Sequence, residues 1–123
     1  MKTPSRPVFD PVAARSRCLG YRRRILEMSQ QVSALHVAPA FSCLEMVDVI
    51  YNALLRGSLL GSEAFRDGFL MSKGHGCVSQ YVILEDFGVL SRQDLEEYCT
   101  AAGRLGAHPD FGVPGIEAST GSL

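Results

Sequence analysis

The chain has 123 residues, of which 46% are hydrophobic and 20% charged, with a formal net charge of -1. This length suits one small domain, and this composition can supply a packed core, which excludes global disorder. The near-neutral charge predicts neither a nucleic acid nor a membrane partner, and no uninterrupted apolar run reaches the roughly 20 residues that span a bilayer.

The N-terminal segment carries three prolines within its first eleven residues, which prevents a stable helix there. We therefore predict a flexible arm over residues 1–14 and a domain over residues 15–123. From Val12 onward, apolar residues recur every three or four positions, which predicts an amphipathic helix that ends near Ser33 or Leu35. The stripe consists of Cys18, Tyr21, Ile25, Met28, Val32 and Leu35.

The sequence Ser42-Cys43-Leu44-Glu45 has the spacing of a capping box, with Phe41 and Met46 at the positions of a hydrophobic staple. It predicts a second helix that starts at Ser42 and stops at Gly57. This helix is apolar on most sides, and helices of this kind are normally buried.

The second half of the chain alternates short apolar segments with glycine-rich turns. Phe69-Leu70-Met71 predicts a brief buried strand, and the turn of residues 72–76 leads into a helix from about Cys77 to Phe87. Ser91-Arg92-Gln93-Asp94 predicts a capped helix that ends near Gly103, followed by a loop to Gly115.

The four cysteines form no Cys-x-x-Cys pair and match no common zinc pattern. The first eleven residues contain no apolar signal segment. We therefore expect a soluble cytoplasmic protein with reduced thiols.

The three histidines, His36, His75 and His108, all lie at predicted element boundaries, and their separation makes a metal site improbable. Ser72-Lys73-Gly74-His75-Gly76 joins the predicted strand to a helix, and such glycine-flanked turns bind phosphates through backbone amides. Three surface imidazoles and an ordinary tight turn are the alternative interpretation of the same residues.

The longer segment 66–76, which reads RDGFLMSKGHG, resembles the R-D-x-[FL]-[IV]-L-S-[KN]-G-H-[GA] pattern of the transketolase family. Further matches follow in the family's order, and the resemblance covers nearly the whole chain from about Arg15. They are His36 with residues 41–45, Ile50-Tyr51, Phe87-Gly88, His108-Pro109 and residues 115–123, GIEASTGSL. The glycines that the family has around the first histidine are absent here, where Leu35 precedes His36 and residues 37–40 read VAPA.

The resemblance implies an α/β fold: the N-terminal part of a thiamine-diphosphate-binding domain, mostly helical with about one central strand. It implies that His36, His75 and His108 are catalytic, and that His75, Gly121, Ser122 and Leu123 bind thiamine diphosphate. In these roles His75 contacts the diphosphate and the reacting centre, while His36 and His108 hydrogen-bond oxygens of the donor. Mg²⁺ would bind the diphosphate through ligands outside this chain.

The implied function is the transfer of a two-carbon ketol unit from a sugar-phosphate-like substrate. The segments that would supply the metal ligands and the activating glutamate are missing, so we expect activity only with completing chains or in a homo-oligomer. A non-catalytic remnant, or an interaction module with the same fold, is the alternative.

Overall fold

A computed structural model describes residues 8–57 and 67–121 of the chain. The described part contains four α-helices, a single π-helical turn and a short 3₁₀ turn. The helices are α1 (Pro11–Ser29), α2 (Val37–Val49), α3 (Cys77–Asp86) and α4 (Arg92–Glu96). The π-helical turn Ile50–Leu54 continues α2 directly, and the 3₁₀ turn Gly74–Gly76 leads into α3.

Helix α1 begins where the sequence places a side-chain cap and a proline together. The Asp10 carboxylate accepts hydrogen bonds from the amides of Val12 and Ala13, at 2.9 and 3.3 Å. Pro11 occupies the first helical position, where its missing N–H leaves no partner unsatisfied. The helix therefore includes the last four residues of the range assigned to the arm, whereas residues 1–7 lie outside the described part.

The buried stripe of α1 confirms the predicted periodicity for Cys18, Tyr21, Ile25 and Met28, with Ala14 added at its start. The helix ends at Ser29, earlier than predicted, and Val32 and Leu35 pack against the core from the connection that follows.

Helix α2 begins at Val37 with His36 as its N-cap, so the predicted capping box and staple around Ser42 are wrong. Pro39 is the third helical residue, where a backbone N–H has no acceptor within the helix, so proline is tolerated there. Ser42 lies inside the helix and donates its hydroxyl to the Pro39 carbonyl at 2.9 Å. Glu45 forms an ion pair with Arg22 of α1.

The stretch Val37–Leu54 has a mean hydropathy of 1.3 over 18 residues, and by length and composition alone it could cross a membrane. It is the one such stretch in residues 8–57 and 67–121. A core helix passes the same test, and α2 packs against both α1 and α3. The apolarity of α2 is therefore weak evidence for a membrane.

Helix α3 forms the centre of the fold. All eight residues from Cys77 to Leu84 are buried, which agrees with its packing against α1, α2 and α4. Tyr81 meets Tyr98 edge to face, with ring centroids 6.2 Å apart. The capping box at Ser91 and Asp94 is confirmed, although α4 stops at Glu96 rather than near Gly103.

The predicted central strand at Phe69–Met71 is not confirmed, because no strand is present among the described residues, which are mostly helical. A strand requires the backbone of a neighbouring strand as its hydrogen-bond partner. Here Met71 receives a side-chain bond instead, since the Thr120 hydroxyl donates to its carbonyl at 2.6 Å. The α/β class is likewise not confirmed by this part of the chain.

Candidate active site

The fold brings the three histidines together at one end of the helices. His36 caps α2, His75 lies in the 3₁₀ turn before α3, and His108 lies in the loop after α4. The ring centroid of His36 is 6.2 Å from that of His75 and 6.0 Å from that of His108. Residues that are distant in sequence therefore form one cluster, which we call the histidine cluster.

All three imidazoles are exposed, and none makes a hydrogen bond to another of the described residues. His36, although it is the N-cap of α2, forms no side-chain cap bond. A neutral imidazole carries one donor and one acceptor nitrogen, and an imidazolium carries two donors. These groups are therefore available to a ligand.

Two glycines, Gly74 and Gly121, let two backbone segments approach closely beside the histidine cluster. A Cβ atom on Gly74 would lie 2.5 Å from the Cα atom of Gly121. Gly121 has a φ angle of 102°, and a Cβ atom there would lie 2.7 Å from Cδ2 of His108. Both positions therefore require glycine. Gly121, predicted to bind the cofactor, lies against the turn that carries His75, whereas Ser122 and Leu123 are outside the described residues.

The loop that carries His108 is held by buried donors from α3. The Tyr81 hydroxyl donates to the carbonyls of Gly106 and His108 at 3.0 and 3.2 Å. The Cys77 thiol donates to the carbonyl of Ala107 at 3.2 Å. Burial raises the pKa of Cys77 to about 12 and that of Tyr81 above its ordinary value, so both groups stay protonated near neutral pH.

The turn that carries His75 is joined to α2 by two contacts. Lys73 Nζ donates to the Pro39 carbonyl at 3.1 Å and to the Ser42 hydroxyl. Gly76 packs so closely on Cys43 that a Cβ atom there would lie 3.1 Å from the sulfur. Sequence reasoning missed the role of Lys73, because its partners are more than thirty residues away and no local pattern marks them.

Comparisons with known proteins cover most of the chain. Residues 17–123 match the family profile "Transketolase, thiamine diphosphate binding domain". One subunit of the apulose-4-phosphate transketolase of Phocaeicola vulgatus is 36% identical over 103 residues, which are 83% of this chain and 37% of that protein. Chloroplastic transketolase of Zea mays is 30% identical over 102 residues, 80% of this chain and 15% of that protein.

A solved structure, transketolase from Leishmania mexicana, superposes with a TM-score of 0.62 at 26% identity, covering 84% of this chain and 17% of the other. The matched profile defines a thiamine-diphosphate-binding domain. The chain belongs to the transketolase family, and it spans between about one seventh and two fifths of the length of these relatives.

The residues present suit the diphosphate of the implied cofactor better than they suit its Mg²⁺ ion. Exposed imidazoles and a glycine turn at the start of α3 suit a diphosphate, which binds N–H donors. Across residues 8–57 and 67–121, no group of three His, Cys, Asp or Glu side chains could hold a metal ion. Mg²⁺ prefers oxygen ligands, which the histidine cluster does not offer.

Proposed function

We propose that this chain supplies the histidine-bearing part of the thiamine diphosphate site of a transketolase-like enzyme. Such an enzyme transfers a two-carbon ketol unit between sugar-phosphate-like substrates. The observation that carries the proposal is the convergence of three imidazoles without hydrogen-bond partners among the described residues, beside the glycine turn that opens α3.

The cofactor, when bound, supplies the carbanion chemistry, and the protein binds, orients and polarises. In this proposal His75 donates a hydrogen bond to the diphosphate and lies next to the reacting centre. His36 and His108, whose ring centroids are 6.0 Å apart, would donate to substrate oxygens on which charge develops. Gly121, Ser122 and Leu123 would contact the aminopyrimidine end of the cofactor.

Activity in this proposal requires further polypeptide, from completing chains or from a homo-oligomer. Two findings support it: the relatives are far longer than the matched segment, and the name of the Phocaeicola vulgatus protein describes one subunit of an enzyme. The additional polypeptide would bring the Mg²⁺ ligands. That relative's name also includes a sugar phosphate, which supports a substrate of this class.

The test is a titration of the ¹⁵N-labelled chain with thiamine diphosphate and Mg²⁺, followed through the imidazole resonances. Because the metal ligands would come from elsewhere, we expect weak binding, with half-saturation above the micromolar range. The His75 signals should move most, because that residue is adjacent to the phosphate-binding turn.

Thiamine without its diphosphate is the matched ligand control and should move the His75 signals less. The Arg92→Met variant, altered at an exposed position on α4, is the protein control and should respond as the parent does. If millimolar thiamine diphosphate moved none of the three imidazoles, the remnant or interaction-module alternative would replace the proposal.

A further inference from the structure

We infer that Lys73 is a positioning residue that holds His36 beside His75. The observation is its place between the two elements that carry these histidines. Lys73 directly precedes the turn Gly74–Gly76, and its ammonium reaches across to the first turns of α2. The bearing of this contact on catalysis rests on the function proposed above.

The partners of the ammonium are neutral oxygens. Nζ donates to the Pro39 carbonyl at 3.1 Å and to the Ser42 hydroxyl, which itself donates to the same carbonyl at 2.9 Å. Among the described residues no carboxylate lies within ion-pair distance of Nζ. A half-buried cation gains little free energy from such neutral partners, because it gives up water to meet them. The contact therefore contributes more to geometry than to stability.

Lys73 adds a polar contact at the N-terminal end of α2. The turn and α3, which follows it directly, both pack against α2, and the close approach of Gly76 to Cys43 is one of these contacts. The Pro39 carbonyl that accepts from Lys73 lies in the first turn of α2, three residues after His36. In this inference the bond from Lys73 ties the segment that carries His75 to the first turn of the helix that His36 caps, and so helps to hold the two ring centroids 6.2 Å apart.

The experiment compares ligand-free ¹⁵N-labelled full chains by NMR. Lys73→Met removes the donor and keeps most of the apolar stem. We expect it to abolish the nuclear Overhauser contact between the His36 and His75 rings and to move the resonances of both. His108 should stay in place, since α3 holds its loop through Tyr81 and Cys77. Lys73→Arg, which keeps a cationic donor, should restore the contact at least in part.

Arg92→Met is the matched control, because it removes a cation that is 76% exposed and whose partner Glu96 lies on α4. It should leave the histidine signals unchanged. Retention of the parental His36–His75 contact in Lys73→Met would overturn the inference, and so would an equal displacement of all three histidines in a folded variant.

Ser42→Ala keeps the inference testable if Lys73→Met does not fold. It removes one acceptor of the ammonium at a position inside α2 where alanine favours the helix. A weakened His36–His75 contact supports the inference, and an unchanged one overturns it. Because no ligand is present, this result is independent of whether thiamine diphosphate binds.

Discussion

The polar side chains on the face of α1 that packs against α2 and α3 are paired, whereas those of the histidine cluster are not, within the part of the chain that the structure describes. On α1, Arg17 forms two hydrogen bonds to the Asp48 carboxylate, and Arg24 forms two to Glu85. The Tyr21 hydroxyl donates to Asp86 at 2.7 Å, so the polar groups that join α1 to α2 and α3 are paired within the fold. The imidazoles of the cluster have no such partners among the described residues.

This difference indicates that the paired side chains of α1 serve stability and that the histidine cluster serves binding. A buried polar group without a partner costs free energy, so the interior-facing charges of α1 must be paired for the chain to fold. An exposed imidazole is solvated by water and can exchange that water for a ligand at little cost. We therefore expect changes on α1 to affect unfolding and changes in the cluster to affect binding and turnover.

The largest expected effect is on the α1 side. Asp48 is 1% exposed, and Arg17→Met leaves its carboxylate with Asn52 as its remaining side-chain partner. Removing one member of a buried ion pair typically costs about 3–5 kcal/mol, and we expect about 3 kcal/mol here because Asn52 still donates. The measurement is the free energy of unfolding in urea.

Two further variants sharpen that result. The double variant Arg17→Met, Asp48→Leu should recover most of the loss, since no uncompensated charge stays buried. Arg56→Met breaks an exposed pair with Asp67 and should cost far less, because water screens that pair. Equal losses for Arg17→Met and Arg56→Met would contradict the distinction between buried and exposed pairs.

The next effect belongs to the histidine cluster. In an enzyme reconstituted with completing polypeptide, His75→Ala should lower turnover by about 100-fold or more and raise the cofactor concentration needed for half-saturation. His36→Ala should cost less, because His36 lies in the segment that departs most from the family's glycine pattern. Turnover and cofactor half-saturation are compared after circular dichroism has verified folding. Parental values for a folded His75→Ala variant would remove His75 from the site.

A smaller effect is expected outside both regions, at the capping box of α4. The hydrogen bonds from Arg104 lower the pKa of Asp94 to about 2, with further lowering from Ser91. A carboxyl whose pKa is lower in the folded than in the unfolded chain stabilises the fold above pH ~4, and that stability is lost as the pH falls toward 2.

Asp94→Asn should therefore lower the free energy of unfolding by about 1 kcal/mol at neutral pH, since Arg104 is half exposed. The stability of the variant should also fall less than that of the parent as the pH is lowered. Thermal unfolding between pH 2 and pH 7 provides the measurement. Parallel profiles for parent and variant would show that Asp94 does not produce the acid dependence.

The smallest effect concerns which cysteine thiols an alkylating reagent can reach. Cys18 on α1 and Cys77 beneath the cluster are both buried, and burial raises their pKa values to about 11 and about 12. Cys99 is exposed. Native alkylation followed by mass spectrometry should therefore modify Cys99 first and leave Cys18 and Cys77 unmodified. Rapid labelling of Cys77 would mean that the loop bearing His108 opens readily.

Local patterns in the sequence predict the elements whose causes are local. The stripe of α1, the extent of α3 and the capping box at Ser91 each depend on residues within a few positions of one another. The predicted start of α2 is wrong because Ser42–Glu45 satisfies a local rule, whereas the helix begins earlier and tolerates Pro39 in its first turn. The predicted strand at Phe69–Met71 is not confirmed among the described residues, because a strand needs a neighbouring strand, and local patterns cannot show whether one is present.

The histidines of the candidate site are identifiable from the sequence because they lie beside glycines and element boundaries in a family pattern. The resemblance implies their convergence, which the structure displays as a cluster. The contacts from Lys73 to Pro39 and from Arg17 to Asp48 link residues more than thirty positions apart. Such pairs arise from the packing of distant segments, so the periodicity of apolar residues in the sequence cannot predict them.

The burial of the tyrosines has a spectroscopic consequence. All four, Tyr21, Tyr51, Tyr81 and Tyr98, are at most 6% exposed, and the chain contains no tryptophan. Burial raises the pKa of Tyr21, Tyr81 and Tyr98, so above pH ~10 their phenols ionise mainly in the unfolded chain and the folded state loses stability as the pH rises. Phenolate absorbance in alkali thus reports unfolding directly, and any tryptophan fluorescence in a reconstituted mixture reports the partner alone.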